Sequence, residues 1–249
     1  MPAGGYDIVV RPGLLRDVPS LVATLAPAAR YAIISDATVA ELYGGGVVAA
    51  MRSAGLDAEL VRFPAGEASK TREQWARLTD ELLALRLGRD GCVIALGGGV
   101  TGDLAGFVAA TYMRGIPFVQ VPTTLLAMID AAVGGKTGVD TPAGKNLVGA
   151  FHQPKTVLVD PRVLQTLPAA EVRSGLAEAV KHAAIADARH FDALAAAASA
   201  LCEAHAEALA PVIARSIEIK AGVVGADPFE AGPRKALNFG HTIGHALET

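Results

Sequence analysis

Short apolar runs recur through the first 160 residues, separated by longer stretches whose apolar positions return every three or four residues. Tyr6–Val10, Tyr31–Ser35, Ala58–Phe63, Cys92–Leu96, Phe118–Val121 and Thr156–Asp160 are rich in β-branched residues and predict strands. Thr38–Ser53 and Thr71–Leu87 carry helical patterns. Strand–helix alternation of this kind predicts a parallel sheet with helices on both faces, and ligands in such sheets sit in the loops at the carboxyl ends of the strands. After Pro161 the pattern changes. From Pro168 to Thr249 there is no strand pattern, and alanine-rich helical stretches dominate, with breaks expected near Pro211 and across Gly225–Pro233. The expected organisation is an α/β domain over 1–162 followed by an all-helical domain over 163–249. No repeat of fixed period is present.

Composition narrows the function. Of 249 residues, 51% are hydrophobic and 19% charged, which predicts a packed core rather than disorder. A net charge of −3 and the absence of any Lys/Arg run argue against a nucleic-acid partner. The two cysteines, Cys92 in an apolar run and Cys202, form no CxxC pair, so a reducing compartment is expected. Residues Met1–Val10 have neither a basic segment nor a long apolar one, so no signal peptide is expected. The most membrane-like window, Ile116–Gly135, is interrupted by Pro117, Gln120, Pro122, Asp130 and Gly134-Gly135, which fits a buried strand and a broken helix better than a membrane span. A cytoplasmic protein without membrane partners is the expectation.

The clearest local signal is Leu96-Gly97-Gly98-Gly99-Val100-Thr101-Gly102-Asp103, between an apolar strand and a helical run over Leu104–Thr111. Glycines allow close backbone approach to a phosphate, and a helix N-terminus offers N–H groups to an anion. The plainer alternative is a tight turn capped by Asp103. Two further polar loops end strands: Phe63-Pro64-Ala65-Gly66-Glu67-Ala68-Ser69-Lys70 and Val121-Pro122-Thr123-Thr124. Three such loops at one sheet end favour a ligand crevice with a diphosphate site, although GxGxxG itself is absent. Gly134-Gly135-Lys136-Thr137-Gly138 and Gly144-Lys145-Asn146 place lysines in glycine-rich surroundings. The position five before Gly135 is Asp130, which excludes a P-loop, but the lysines still favour a phosphorylated ligand over the alternative of solvated lysines on a loop. Near the end, His241 and His245 stand i, i+4, the spacing of two metal ligands on one helix face, with a structural pair bonded to backbone as the alternative. Glu178 lies in a mainly apolar helix upstream. The lone histidines His152, His190 and His205 carry no functional reading.

Taken together these segments resemble 3-dehydroquinate synthase, within the sugar-phosphate cyclases, over nearly the whole chain from Ile8 to Glu248. The resemblance rests on eight ordered motifs: Pro-Ala-Gly-Glu67-x-x-Lys70, Leu-Gly-Gly-Gly-Val-Thr-Gly-Asp103, Tyr-Met-Arg114-Gly, Val-Pro-Thr-Thr124, Asp130-x5-Lys136-Thr-Gly, Gly-Lys145-Asn146, Gly-Leu-Ala-Glu178-Ala-Val-Lys181-His and Asn238-Phe-Gly-His241-x3-His245. It implies a Rossmann-like NAD domain followed by a helical metal domain, an active site between them, and a homodimer. It also implies roles for individual residues. Asp36, Glu67, Lys70, Gly99, Val100, Thr101, Gly102, Asp103, Thr123, Thr124, Lys136, Lys145 and Thr166 match NAD contacts. Glu178 and His241 match ligands of a zinc or cobalt ion. His245, Asp130, Lys136 and Lys181 match catalytic positions, so His245 is expected to be catalytic rather than a ligand. Arg114, Asn146, Lys220, Arg234 and Asn238 match substrate contacts, Arg114 reaching the partner subunit's site.

The implied reaction converts 3-deoxy-D-arabino-heptulosonate 7-phosphate to 3-dehydroquinate and phosphate, in the shikimate route to chorismate and aromatic amino acids. It is a carbon–oxygen lyase reaction with transient oxidation by NAD⁺, β-elimination of phosphate, return of the hydride and intramolecular aldol closure. Five cations, Arg114, Lys136, Lys181, Lys220 and Arg234, suit a substrate bearing both carboxylate and phosphate. The family's third metal-ligating histidine and a further cationic substrate contact fall downstream of Thr249, so the helical domain is expected to be C-terminally incomplete, with two protein ligands where a catalytic ion ordinarily takes three. The competing readings are another NAD- and metal-dependent cyclase acting on sugars without this carboxylate, a metal-dependent polyol dehydrogenase, and a non-catalytic NAD-binding remnant. Arg234 and Lys220 discriminate against the first, since a neutral sugar does not need them.

Overall fold

The computed structural model describes residues 5–227 and 232–240. They fall into two compact units, one formed by Tyr6–Thr123 and Gly135–Asp160, the other by Gly5, Thr124–Gly134 and the described residues from Pro161 onward. The unit changes at Pro161. Residues 124–134 were expected within the α/β domain but group with the helical unit. Their apolar side chains Leu125, Ala127, Met128 and Ile129 are buried, and the turn they form packs on the helix Ala206–Ala226.

The first unit is a six-stranded sheet, parallel throughout, built from β1 (Asp7–Val10), β2 (Tyr31–Asp36), β3 (Ala58–Phe63), β4 (Cys92–Gly97), β5 (Phe118–Pro122) and, after a separate hairpin, β8 (Thr156–Val159). Its order is β1-β8-β5-β4-β2-β3. The central strands are buried along their whole length, as a sheet covered on both faces requires. Alternation divides the core. Tyr31, Ile33, Ile94, Leu96 and Val119 pack with Val18 and Val22 of α1 (Val18–Leu25) and with Val47 and Met51. Ala32, Ile34, Val93, Ala95 and Phe118 face the other way. They meet Leu78 and Leu82 of α4 (Arg72–Ala84) and Leu104 and Val108 of α5 (Gly99–Thr111). Val47 and Met51 lie in α3 (Gly45–Ser53), which continues α2 (Ala37–Val39) through one π-helical turn, Ala40–Gly44.

Between β5 and β8 the chain forms an antiparallel hairpin, β6 (Lys136–Thr141) and β7 (Gly144–Phe151), where glycine-rich loops were expected. The glycines serve close approach of the two strands: Gly138 lies opposite Gly149, and a Cβ on Gly149 would stand 2.1 Å from the Thr137 carbonyl oxygen. This hairpin follows Gly134-Gly135, so no helix begins there and the P-loop exclusion stands.

The second unit holds α6 (Ala169–Ala186), α7 (Ala188–Ala196), α8 (Ala198–Cys202) and α9 (Ala206–Ala226), and no strand among its described residues. Pro211 does not break α9, contrary to expectation. It falls in the second turn, where the N–H it lacks would have reached the Glu207 carbonyl, on an exposed residue that water can serve. Buried Leu209, Val212, Ile213 and Ile217 hold the helix in place. Among the described residues no helix is long and apolar enough to cross a membrane.

Candidate active site

In the α/β unit, chain direction across the sheet reverses between β2 and β4: β3 lies beyond β2 on one side, and β4, β5 and β8 follow on the other. Such a reversal opens a crevice at the carboxyl ends of the two strands. Asp36 ends β2 there, its Oδ1 accepting the N–H groups of Thr38 (3.0 Å) and Val39 (3.1 Å). Its Oδ2 accepts the Thr101 hydroxyl at 3.2 Å, which ties it to the glycine loop.

That loop turns directly into α5, which begins at Gly99 rather than at Leu104. Its N-cap, Gly98, has no side chain to satisfy the first N–H groups. Those of Gly99, Val100 and Thr101 open the helix, the arrangement that binds anions. Close packing fixes the glycines: a Cβ on Gly97 would lie 2.3 Å from Thr101 Oγ1, and one on Gly102 2.8 Å from Gln120 Oε1. Asp103 is not a cap. It lies inside α5 and pairs with the buried Lys70 ammonium, Nζ to Oδ2 2.5 Å. Lys70 Nζ also donates to Asn146 Oδ1 at 2.5 Å. Lys145 stands 3.7 Å from Glu67, both exposed. Glu67, Lys70, Thr71, Asp140 and Lys145 line a cavity of about 450 Å³. At the end of β5, Thr123 is buried and its hydroxyl meets no hydrogen-bond partner.

Lys136 opens β6 and is exposed. Arg114 is exposed on three consecutive residues with left-handed backbone, Met113 (φ 51°), Arg114 (φ 67°) and Gly115 (φ 110°), a strained projection for two non-glycine residues.

In the helical unit Glu178, Lys181 and His182 occupy one face of α6, at i, i+3 and i+4. Gly175, one turn earlier, has no room for a Cβ, which would sit 2.6 Å from Leu125 Cβ, so α6 approaches residues 125–130 closely. Asp130, Glu178 and His182 each offer a donor atom, all within 4.8 Å of one another. His182 is fully buried, and neither ring nitrogen has a hydrogen-bond partner. Burial, together with the nearby Lys181 and Lys220 ammoniums, outweighs the pull of Asp130 and Glu178 and lowers its pKa to about 4, so the imidazole is neutral and able to ligate. Lys181 pairs with Glu178. Lys220 Nζ, from α9, donates to Asp130 Oδ1 at 2.7 Å. Burial raises the Asp130 pKa, but the Lys220 charge and hydrogen bond, with Lys181 and His182, bring it below the ordinary carboxylate value. Burial likewise lowers the Lys220 pKa against the pull of Asp130.

Arg234 is buried, and a Cβ on Gly134 (φ 105°) would lie 2.7 Å from its guanidinium. Asp227 Oδ2 accepts the N–H groups of Gly232 (2.7 Å) and Arg234 (3.1 Å). Thr124 Oγ1 accepts the Ala127 N–H, Thr166 donates to its own turn at Val163, and Asn238 is exposed. His241 and His245 lie outside the described residues. Sequence reasoning missed His182; its signal was the i, i+4 spacing from Glu178. His152 is bonded to the Ile116 carbonyl oxygen and stacked on Phe118, and His190 is bonded to Ser216.

The sequence matches the family model of the 3-dehydroquinate synthase N-terminal domain over residues 60–174 and of its C-terminal domain over residues 175–249. The chain belongs to the 3-dehydroquinate synthase family. The 3-dehydroquinate synthase of Symbiobacterium thermophilum is 51% identical over 244 residues, covering 98% of this chain and 68% of that protein. That of Caulobacter vibrioides is 50% identical over 244 residues, covering 98% and 66%, so the chain spans about two thirds of the length of these curated synthases. Among solved structures, the 2-epi-5-epi-valiolone synthase ValA of Streptomyces hygroscopicus, with NAD⁺ and Zn²⁺ bound, superposes with a TM-score of 0.90 at 34% identity, covering 100% of this chain and 69% of that one. A 2-deoxy-scyllo-inosose synthase in complex with carbaglucose-6-phosphate, NAD⁺ and Co²⁺ gives 0.88 at 30% identity, covering 98% and 67%. A butanol dehydrogenase of Thermotoga maritima, at 15% identity and a TM-score of 0.73, shares the fold alone.

Proposed function

We propose that the protein converts 3-deoxy-D-arabino-heptulosonate 7-phosphate to 3-dehydroquinate with release of phosphate, a carbon–oxygen lyase reaction using NAD and a divalent metal, as a homodimer. The observation that carries this substrate over sugars lacking a carboxylate is the burial of Arg234 and Lys220 beside Lys181 in the helical unit. Lys220 pairs with Asp130 and Lys181 with Glu178, and Arg234 and Lys181 both act electrostatically on Lys220, so the three cations form one cluster that suits a substrate carrying both carboxylate and phosphate.

The residues present fit both cofactors. The unpartnered Thr123 hydroxyl, the Cβ-free cradle at Gly97 and Gly102 and the open N-terminus of α5 suit a dinucleotide diphosphate. The unpartnered imidazole of His182 beside Glu178 and Asp130 suits a zinc or cobalt ion, which Glu178 would hold, joined by His241. Bound there, NAD⁺ supplies a hydride acceptor and later donor, and the ion a Lewis acid toward the substrate hydroxyl. Asp36 and Lys70 fix the glycine loop and the hairpin. Asp130, held ionised by Lys220, is set to accept a proton or orient water. Lys181, Lys220 and Arg234 bind substrate anions, Arg114 projects toward the partner subunit, and His245 relays protons.

The test is phosphate release by the full-length protein. Turnover with NAD⁺ and Zn²⁺ or Co²⁺, lost on chelation and without net NADH, supports the reading. NADH accumulation from a polyol makes it a dehydrogenase. Turnover of a sugar phosphate lacking the carboxylate, unaffected by Arg234→Met, makes it another cyclase.

A further inference from the structure

Asp140 lies where the hairpin departs from regular pairing. The β6–β7 register shifts between Val139 and Thr141, and Asp140 at the shift forms an isolated parallel bridge with Thr71. Its N–H donates to the Lys70 carbonyl oxygen at 2.7 Å, which fastens the hairpin to the loop after β3. Its carboxylate turns to the other strand, where Oδ1 accepts the Asn146 N–H at 2.8 Å. Asn146 has left-handed backbone, φ 57°, a conformation that asparagine adopts more readily than most residues but that still needs holding. In that conformation its side-chain oxygen accepts from Lys70 Nζ at 2.5 Å, and the same ammonium pairs with Asp103 on α5 at 2.5 Å.

Asp140 thus grips the Lys70 segment through its backbone and Asn146 through its side chain. We propose that Asp140 is a positioning residue, holding Asn146 and Lys70 in one fixed arrangement so that the substrate-contacting hairpin and the cofactor-contacting loop are set together; this rests on the reading of Lys70 and Asn146 given above. The carboxylate acts on this arrangement through its bond to the Asn146 N–H, and the backbone N–H through the Lys70 carbonyl. Asp140, Lys70 and Lys145 line the same cavity, so a slack Asn146 would loosen the wall of the cofactor site as well.

The experiment uses the full-length protein, with NAD⁺ affinity by calorimetry, kcat and KM from phosphate release, and Tm. Asp140→Ala is expected to lower NAD⁺ affinity about tenfold and kcat/KM about 10–100-fold, the size of losing a hydrogen bond to a charged group together with the alignment it fixes. Asp140→Asn retains an acceptor oxygen at the same reach and is expected to restore both to within about threefold of wild type, since the bond survives in neutral form. Should Asp140→Ala not fold, Asp140→Ser, too short to reach the Asn146 N–H, is read on the same scale. A variant that lowers Tm while NAD⁺ affinity and kcat/KM stay within twofold of wild type overturns the proposal, since the carboxylate then only stabilises the hairpin. Asn146→Ala and Lys70→Ala separate the two levels. If neither changes NAD⁺ binding or turnover, the reading of these residues as ligand contacts fails and the positioning role falls with it. If both do and Asp140→Ala does not, only the positioning role falls.

Discussion

Replacing Lys70 by methionine removes the cation that joins three separate segments while keeping an apolar side chain of similar length. The Lys70 side chain is 5% exposed, and its ammonium stands 2.5 Å from Asp103, itself 21% exposed. Taking one partner from a fully buried ion pair costs about 3–5 kcal/mol, because the remaining charge keeps its desolvation penalty. An exposed pair is worth less than about 1 kcal/mol. Asp103 retains a fifth of its exposure, so the expected loss lies toward the buried end, about 2–3 kcal/mol. At about 2–4 °C per kcal/mol for a chain of this size, Tm should fall by about 4–12 °C. Urea unfolding followed by circular dichroism gives the free energy directly. A cycle with Asp103→Asn then isolates the pair, and a coupling of about 2 kcal/mol is expected. Losses in the single variant below about 0.5 kcal/mol, or additivity within about 0.5 kcal/mol across the cycle, would refute the argument that this ammonium ties the strand-end loop to α5.

Two further predictions concern titratable groups away from the site. Burial lowers the His190 pKa against the pull of Asp187, and Arg215 lowers it further, so the folded value lies below the unfolded value of about 6.5. The unfolded chain takes up the proton first on acidification, so this contribution is complete above about pH 6.5 and is lost as pH falls through the folded value. His190→Gln should flatten the fall in stability between pH 7 and 5 in urea titrations, and an unchanged slope would sink the assignment. Cys92 is buried in β4, and burial pushes its thiol up to about 12, whereas Cys202 is exposed. A disulfide reagent should titrate one thiol in the native chain and two in denaturant, and rapid reaction of both in the native chain would contradict the burial of β4.

What the sequence disclosed follows from what each feature depends on. Strands β2, β4, β5 and β8 were legible because strands covered on both faces are continuous apolar runs, a local property. The hairpin was not, because its glycines answer to a facing strand rather than to their neighbours in sequence: Gly138 reads as a loop residue until it is seen opposite Gly149. Pro211 shows the converse error. A local breaker signal was overridden by the packing of Leu209, Val212 and Ile213 around a helix whose one missing hydrogen bond lies at an exposed carbonyl. Asp103 was legible as an acid beside a helix start, but its cation lies 33 residues away and no local rule pairs them. His182 was hidden by its surroundings in an apolar helix; its two unpartnered nitrogens, which set it apart from an ordinary core histidine, exist only once residues 125–130 close over α6.

The same reasoning explains why the glycine loop could be recognised and the acid beside it could not be derived from pattern. Thr101 and Asp36 are 65 residues apart and meet because β4 pairs with β2 on the side away from β3. Strand order is not written in hydrophobic periodicity, since β2 would look the same in any position near the sheet centre. Once the order is known, the meeting follows. Parallel strands point their carboxyl ends the same way, the reversal leaves no connection crossing over β2 and β4, and the two strand ends are left open side by side. An acid at one end and glycines opening a helix at the other are then complementary parts of one crevice. The acid satisfies the first N–H groups of its own helix and fixes the threonine hydroxyl, and the glycines leave the second helix N-terminus without a side-chain cap. An anionic ligand is directed to the uncapped terminus because the other is already filled by a carboxylate of the chain itself.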